Sequence, residues 1–245
     1  MDIYLFKEAN SFTNKVTIIF LHGGGYYLSD KSKEERYIKP YLEKGFNVVN
    51  MNYRLKRGIP LATEDLTKAL NYLQENNSKY KLNLKRIVVS GFSAGAQIAT
   101  LVGVTQNDRK YPNRMKEGIK IIGIVNFSGP VDGLDVVEKV FIDNEVEIMK
   151  TIGNALFVTD GYAASETINM YEPITYLDKK DPAIFLWHGG KDDQVPPKTF
   201  ESFVALLKKN AKKNVVIYDA EAGHSPTGES LKATYKEIFS FIDKL

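Results

Sequence analysis

Ile87-Val88-Val89-Ser90-Gly91-Phe92-Ser93-Ala94-Gly95-Ala96-Gln97-Ile98-Ala99 carries a β-branched apolar run into a small-residue segment through one serine flanked by glycines. The run reads as a buried strand and Ala94 onward as a helix start. A Gly-x-Ser-x-Gly pentapeptide on such a turn is the pattern of a nucleophile elbow, where a crowded, strained turn exposes the hydroxyl and tolerates only glycine at the flanking positions. Ser93 is therefore the candidate nucleophile. The competing reading is a serine that merely caps the helix after the strand.

Working outward, Val16 to Leu21 and Phe46 to Tyr53 read as strands on either side of a helical stretch from Ser32 to Lys44. Ser32 and Glu35 have the spacing of a capping box, and Gly45 stands where a helix ends in a left-handed residue. Further helices are expected near 61–75, 94–104, 198–208 and 230–244, and further strands near 86–90, 119–127, 183–187 and 215–218. Strand-helix alternation of this kind predicts an α/β fold, a mostly parallel central sheet with helices on both faces, formed by one domain over 1–245. The stretch 131–170 breaks the rhythm and is expected to be a small lid-like insertion. Its Leu134, Val137, Val140 and Phe141 have helical spacing, which suits packing onto the domain better than substrate contact.

The 245 residues are 43% hydrophobic and 26% charged, a composition able to form a sizeable core. A net charge of +3, from 33 basic and 30 acidic side chains without a dense basic block, implies no nucleic-acid partner. Lys208-Lys209 and Lys212-Lys213 fall where a helix ends, a position that favours cations. With no cysteine, disulfides, a thiolate nucleophile and cysteine metal sites are excluded. The start Met1-Asp2-Ile3-Tyr4-Leu5-Phe6-Lys7-Glu8 has no export-signal pattern, and no stretch approaches the roughly 20 apolar residues of a membrane span. The expectation is a cytoplasmic protein with no membrane partner.

A serine hydroxyl needs a positioned base. Of three histidines, His224 follows Ser93 in an irregular, glycine-containing loop, Ala222-Gly223-His224-Ser225-Pro226, between a strand and the last helix. The order serine, acid, histidine then asks for a carboxylate between them. Asp192 and Asp193 both qualify, in His188-Gly189-Gly190-Lys191-Asp192-Asp193-Gln194-Val195-Pro196, just past a strand end where open α/β sheets place functional groups. His22-Gly23-Gly24-Gly25 follows the first strong strand and suits an oxyanion loop, with backbone donors expected at Gly24, Gly25 and Ala94 and His22 orienting the loop. A phosphate-binding glycine loop is the rival reading, but neither of its patterns is present.

Taken together, His22 to Tyr26, Asn52-Tyr53-Arg54-Leu55, Glu64-Asp65, Gly91 to Gly95, His188 to Pro196 and Gly223-His224 resemble the hormone-sensitive-lipase-like and acetyl-esterase branch of the α/β-hydrolases. The resemblance spans most of the chain. It implies an esterase with Ser93 as nucleophile, Asp192 as acid in preference to Asp193, His224 as base, and oxyanion donors at Gly24, Gly25 and Ala94. Longer members carry an N-terminal cap, for which a motif beginning at His22 leaves no room. The segment after Tyr53-Arg54-Leu55 runs Lys56-Arg57-Gly58 in place of the usual Ala-Pro-Glu, which brings the chain nearer compact esterase, feruloyl-esterase-like and formamidase-like relatives.

The expected chemistry is cleavage of a small carboxylic ester through an acyl-enzyme, with a small-molecule acyl substrate and no metal or organic cofactor. Tyr26, Tyr27 and Phe92 adjoin the expected site as pocket walls or as core. An aryl-formamide or peptide bond remains open on the same machinery, as does a non-catalytic binding role on the same fold. A haloalkane-type hydrolase would want a carboxylate at the elbow, where Ser93 stands.

Overall fold

The computed structural model describes residues 1–6, 16–157, 164–210 and 213–245. Seven strands form one sheet: β1 (Asp2–Tyr4), β2 (Thr17–Leu21), β3 (Asn47–Met51), β4 (Ile87–Phe92), β5 (Ile121–Phe127), β6 (Ala183–Gly189) and β7 (Val215–Asp219). Their order is β1-β3-β2-β4-β5-β6-β7. β1, which periodicity did not pick out, pairs antiparallel with β3, and the other pairs are parallel. The helices are α1 (Glu35–Lys44), α2 (Gly58–Glu75), α3 (Asn77–Tyr80), α4 (Ala94–Thr105), α5 (Leu134–Ile142), α6 (Glu147–Ala155), α7 (Ala164–Tyr171), α8 (Glu201–Lys209) and α9 (Gly228–Asp243).

Side chains alternate across a strand, and both faces here are covered. In β2, Ile18 and Phe20 join a core with Tyr37 and Tyr41 of α1 and Tyr235, Ile238 and Phe241 of α9. Ile19 and Leu21 face the opposite core, with Leu66 and Leu70 of α2, Ile98 and Leu101 of α4 and Phe203 of α8. β6 divides likewise, Phe185 and Trp187 to the first core and Ile184 and Leu186 to the second. This two-sided burial explains why the strands read as apolar runs without alternation. Each fully buried large side chain contributes about 1.5–3 kcal/mol from apolar transfer.

One local expectation needs correction. Ser32 and Glu35 do not form a capping box: Lys31–Lys33 is a 3-10 turn capped by Asp30, whose Oδ1 accepts the Ser32 N–H at 2.8 Å, and α1 begins only at Glu35. At the N-cap position of α1 is Glu34, which is buried and makes no cap hydrogen bond with its side chain. Gly45 does close α1 in a left-handed conformation, φ 88°.

Within 131–170, the described residues form α5 and α6 and part of a third helix, α7; residues 158–163 of the expected insertion lie outside the described set. Leu134, Val137 and Phe141 are buried against the main core while Val140 is half-buried. The Ile59 N–H donates to the Leu156 carbonyl at 2.9 Å, tying the segment after α6 to the start of α2. Lys208 and Lys209 occupy the last turn of α8, and Lys212 lies outside the described residues. Among the described residues no helix is long and apolar enough to cross a membrane.

Candidate active site

The C-terminal ends of β2, β4, β6 and β7 point to one edge of the sheet, and the segments leaving them carry His22–Gly25, Ser93, Asp192 and His224. Ser93 follows β4 at once with φ 51° and ψ −122°, a sparsely populated conformation for a residue with a Cβ. The turn is held by the Ser93 N–H donating to the Phe127 carbonyl at 2.8 Å and by the start of α4, where the Ala96 and Gln97 N–H groups donate to the Ser93 carbonyl. Crowding explains the flanking glycines: a Cβ on Gly91 would lie 2.4 Å from the Gly95 carbonyl carbon, and one on Gly95 would lie 2.4 Å from the carbonyl oxygens of Leu21 and His22. Although Ser93 occupies the N-cap position of α4, its side chain makes no cap hydrogen bond. The hydroxyl faces His224 instead.

The Ser93 Oγ lies 2.9 Å from His224 Nε2, and His224 Nδ1 lies 2.7 Å from Asp192 Oδ2. A carboxylate only accepts, so the shared proton resides on Nδ1, and Nε2 presents its lone pair to the serine hydroxyl. Asp192 is fixed in turn, its Oδ1 accepting the N–H groups of Gln194 at 3.0 Å and Val195 at 2.9 Å. Its side chain is wholly buried, whereas the neighbouring Asp193 is exposed. The Phe92 ring lies 5.0 Å from that of His224 and stacks on Tyr37, so it belongs to the packing that supports the histidine.

The other two histidines are buried, and neither makes a hydrogen bond to the serine among the described residues. His188 stacks on Phe200 at 3.8 Å, and its Nδ1 is 3.8 Å from Asp192 Oδ2, beyond hydrogen-bond reach. Burial lowers its pKa to about 4, overcoming the opposing pull of Asp192, so near neutral pH it is uncharged. His22 is also pushed down by burial; its Nδ1 lies 2.6 Å from the Gly23 carbonyl, to which it donates.

In the glycine loop Gly24 has φ 107° and Gly25 φ 58°, left-handed conformations that side chains disfavour. Among the described residues the N–H groups of Gly24, Gly25 and Ala94 make no hydrogen bond, while the Gly24 carbonyl accepts those of Tyr27 and Leu28. Tyr26 is core: its hydroxyl donates to Gln97 Oε1 at 3.1 Å, and Gln97 Nε2 donates to the Tyr171 carbonyl at 2.7 Å. Ile152 of α6 covers Gly25 so closely that a Cβ there would meet its Cγ2 at 2.5 Å.

Three further groups hold this edge together; Asn52, Arg54, Glu64 and Asp65 belong to the motifs that carry the resemblance, whereas Glu34 and Asp30 do not. Glu34 accepts the Gly23 N–H at 3.1 Å. Asp30 accepts from Asn52 Nδ2 at 2.5 Å, and Asn52 Oδ1 accepts the Lys31 N–H, which joins the stretch after the glycine loop to the end of β3. Arg54 binds Asp65 through its Nε at 2.8 Å and reaches Glu64 at 2.5 Å, which accounts for the pairing of these residues in the quoted motifs. Among the described residues no cluster of three or more His, Asp or Glu is arranged to hold a metal ion.

A family model, BD-FAE, matches residues 1–207. The chain belongs to the BD-FAE family. Among curated relatives, the probable carboxylic ester hydrolase LipM of Mycobacterium tuberculosis is 23% identical over 215 residues, covering 83% of this chain and 48% of LipM. The acetyl esterase of Salmonella paratyphi B is 28% identical over 153 residues, covering 54% of this chain and 47% of that protein. This BD-FAE chain thus spans about half the length of these relatives. Among solved structures, a truncated carbohydrate esterase from gut microbiota superposes with a TM-score of 0.76 at 23% identity, covering 99% of this chain and 90% of that one. The fold of this BD-FAE member is accordingly that of the α/β-hydrolases.

Proposed function

We propose that the protein is a serine esterase that cleaves a small carboxylic ester, with Ser93 as nucleophile, His224 as general base and acid, and Asp192 as the residue that orients and stabilises the histidine. The observation that carries this reading is the unbroken chain from Ser93 Oγ to His224 Nε2 at 2.9 Å and from His224 Nδ1 to Asp192 Oδ2 at 2.7 Å. As the hydroxyl attacks the ester carbonyl, its proton passes to Nε2, and the imidazolium is stabilised by the buried carboxylate. The carbonyl oxygen becomes an oxyanion received by the N–H groups of Gly24, Gly25 and Ala94, which have no competing acceptor within the described structure. His224 then protonates the leaving alcohol. In the second half-reaction it takes a proton from water, which attacks the acyl-serine and releases the acid.

A short acyl group is the substrate class we favour. Ile152 pressed against Gly25 supports it by limiting space beside the oxyanion loop. The name of the Salmonella acetyl esterase supports an acetyl ester, and that of the gut carbohydrate esterase supports an ester carried on a carbohydrate. The test is hydrolysis of p-nitrophenyl esters from acetate upward and of an acetylated sugar, by the wild type and by Ser93→Ala. Expected are activity highest on the shortest acyl groups and a loss of several orders of magnitude in kcat in the variant, the usual scale for a missing triad member. An inert wild type, or a Ser93→Ala protein of equal activity, overturns the reading.

A further inference from the structure

We propose that Glu34 is a positioning residue for the oxyanion loop, its buried carboxylate acting with the Tyr53 hydroxyl to fix the direction in which the Gly24 N–H points. This rests on the reading of Gly24 as an oxyanion donor and adds a residue that acts through it. A trans peptide is planar, with its N–H and C=O on opposite sides, so holding one end aims the other. In the peptide joining His22 and Gly23 both ends are held: the N–H donates to Glu34 Oε1 at 3.1 Å, and the His22 carbonyl lies 3.0 Å from the Tyr53 hydroxyl. In the next peptide the Gly23 carbonyl is held by His22 Nδ1 at 2.6 Å and is 3.2 Å from the same Tyr53 hydroxyl. The opposite end of that plane is the Gly24 N–H, which has no partner among the described residues. Three successive glycines have little torsional preference of their own. These bonds hold the plane from the Gly23 side, while the Tyr27 and Leu28 N–H groups on the Gly24 carbonyl hold the following one.

The placement of Glu34 suits this role. It is 6% exposed, at the junction between the 3-10 turn and α1, and makes no ion pair within 4.0 Å among the described residues. Its carbonyl accepts the N–H groups of Tyr37 and Ile38, so the carboxylate is anchored to the first turn of α1, and Tyr37 is packed in the core. His22 stacks on Tyr53 at 4.4 Å, which holds the hydroxyl over the two carbonyls. A buried carboxylate is costly to keep, and the solvent-facing side of α1 would accommodate it without that cost. Burial accordingly raises the Glu34 pKa, with the Gly23 N–H and Arg36 opposing the rise.

The experiment compares Glu34→Ala and Glu34→Gln with the wild type on p-nitrophenyl acetate. It adds inhibition by an alkyl boronic acid, whose serine adduct presents an oxyanion to the loop, and ¹⁵N relaxation dispersion of the Gly23 and Gly24 amides in the unliganded protein. Removing one oxyanion donor outright costs roughly 10²–10³ in kcat, so misaiming one should cost roughly 10- to 100-fold. Expected for Glu34→Ala is that fall in kcat with KM within about threefold, boronate affinity falling in step, and exchange broadening at Gly24. Glu34→Gln, which keeps an acceptor for the Gly23 N–H, should recover most of the loss. If Glu34→Ala fails to fold, Tyr53→Phe keeps the ring stack, removes the hydroxyl, and should show the same pattern. A folded Glu34→Ala protein with wild-type kcat and boronate affinity, or one changed only in melting temperature, overturns the proposal. The amide dynamics report on the loop even without turnover, so failure of the esterase reading and failure of this proposal give different results.

Discussion

Asp192→Asn removes one charge, yet the structure requires it to do more than that. Asp192 Oδ1 accepts two backbone N–H groups, from Gln194 and Val195, while Oδ2 faces His224 Nδ1. An asparagine has one acceptor and one donor end, and the site is wholly buried. Turning its NH₂ toward the two backbone donors would leave both unsatisfied, at about 1–3 kcal/mol each. The amide oxygen must therefore take the Oδ1 position, which puts the NH₂ against Nδ1. That contact is favourable only if Nδ1 carries the lone pair and the ring proton has moved to Nε2, the nitrogen facing Ser93 Oγ. The histidine then has no lone pair with which to accept the serine proton. A wrong tautomer of this kind costs roughly 10⁴ in kcat, equivalent to about 5.5 kcal/mol of barrier. Asp192→Ala leaves space in place of a donor and does not impose the wrong tautomer, so it should be no worse than Asp192→Asn despite removing more of the side chain. The assay is kcat on p-nitrophenyl acetate, normalised to sites labelled by a fluorophosphonate, with the ¹⁵N shifts of the His224 ring reporting the tautomer. Retention of activity within tenfold, or an Asp192→Asn protein whose His224 keeps its proton on Nδ1, would refute the reasoning.

Two other perturbations probe the scaffold. Gly95→Ala places a methyl 2.4 Å from two backbone carbonyl oxygens at the end of β2, which is paired with both β3 and β4 and so has little room to retreat. Expected is a loss of about 3 kcal/mol or more in urea unfolding, at the upper end of overpacking effects, and a melting curve near that of the wild type would show that the elbow is looser than described. His188 should make stability depend on pH with a definite sign. Its folded pKa is lowered to about 4 by burial, whereas an unfolded histidine titrates near about 6.5. Between those values the unfolded chain binds a proton that the folded chain does not. Stability therefore falls as pH drops through this window, by up to about 1.4 kcal/mol per pH unit, with no contribution above it. His22, lowered for the same reason, adds in the same sense. Melting temperatures from pH 7.5 to 5 should fall less steeply for His188→Gln than for the wild type, and parallel curves would count against a neutral buried His188.

The fold was legible wherever burial is two-sided and glycines punctuate the chain. β2, β4, β5 and β6 read as largely apolar runs without alternation because helices cover both faces of the sheet, and the end of α1 was marked by Gly45. β1 was not legible. Three residues, Asp2-Ile3-Tyr4, with two exposed and one half-buried, leave no periodic signal, and their strand character comes from pairing with β3. The capping box at Ser32 misled for a comparable reason. Its spacing is satisfied in sequence, but Asp30 competes for the Ser32 N–H, and the chain takes a 3-10 turn before α1 begins.

At the site, legibility divides between the proposed triad and the residues proposed to aim the glycine loop. Ser93, Asp192 and His224 stand out because a strained turn, a strand end and an irregular loop each leave local marks. Among three histidines and two adjacent aspartates, the choice was still made by chain order and resemblance. The structure separates them by burial and hydrogen bonding: Asp193 is exposed, His22 and His188 are buried without a hydrogen bond to the hydroxyl among the described residues, and His224 Nε2 lies 2.9 Å from it. Glu34 leaves no such mark. Within Lys33-Glu34-Glu35-Arg36 it looks like one more charge at the solvated start of a helix, and only the non-helical backbone at that point turns its carboxylate inward. The partners that fix Gly23 come from positions 22, 34 and 53 on three separate elements. No local periodicity relates residues so far apart. His22 and Tyr53 lie within the motifs that carry the resemblance and Glu34 does not, so mutagenesis confined to motif residues would reach the first two and miss the third.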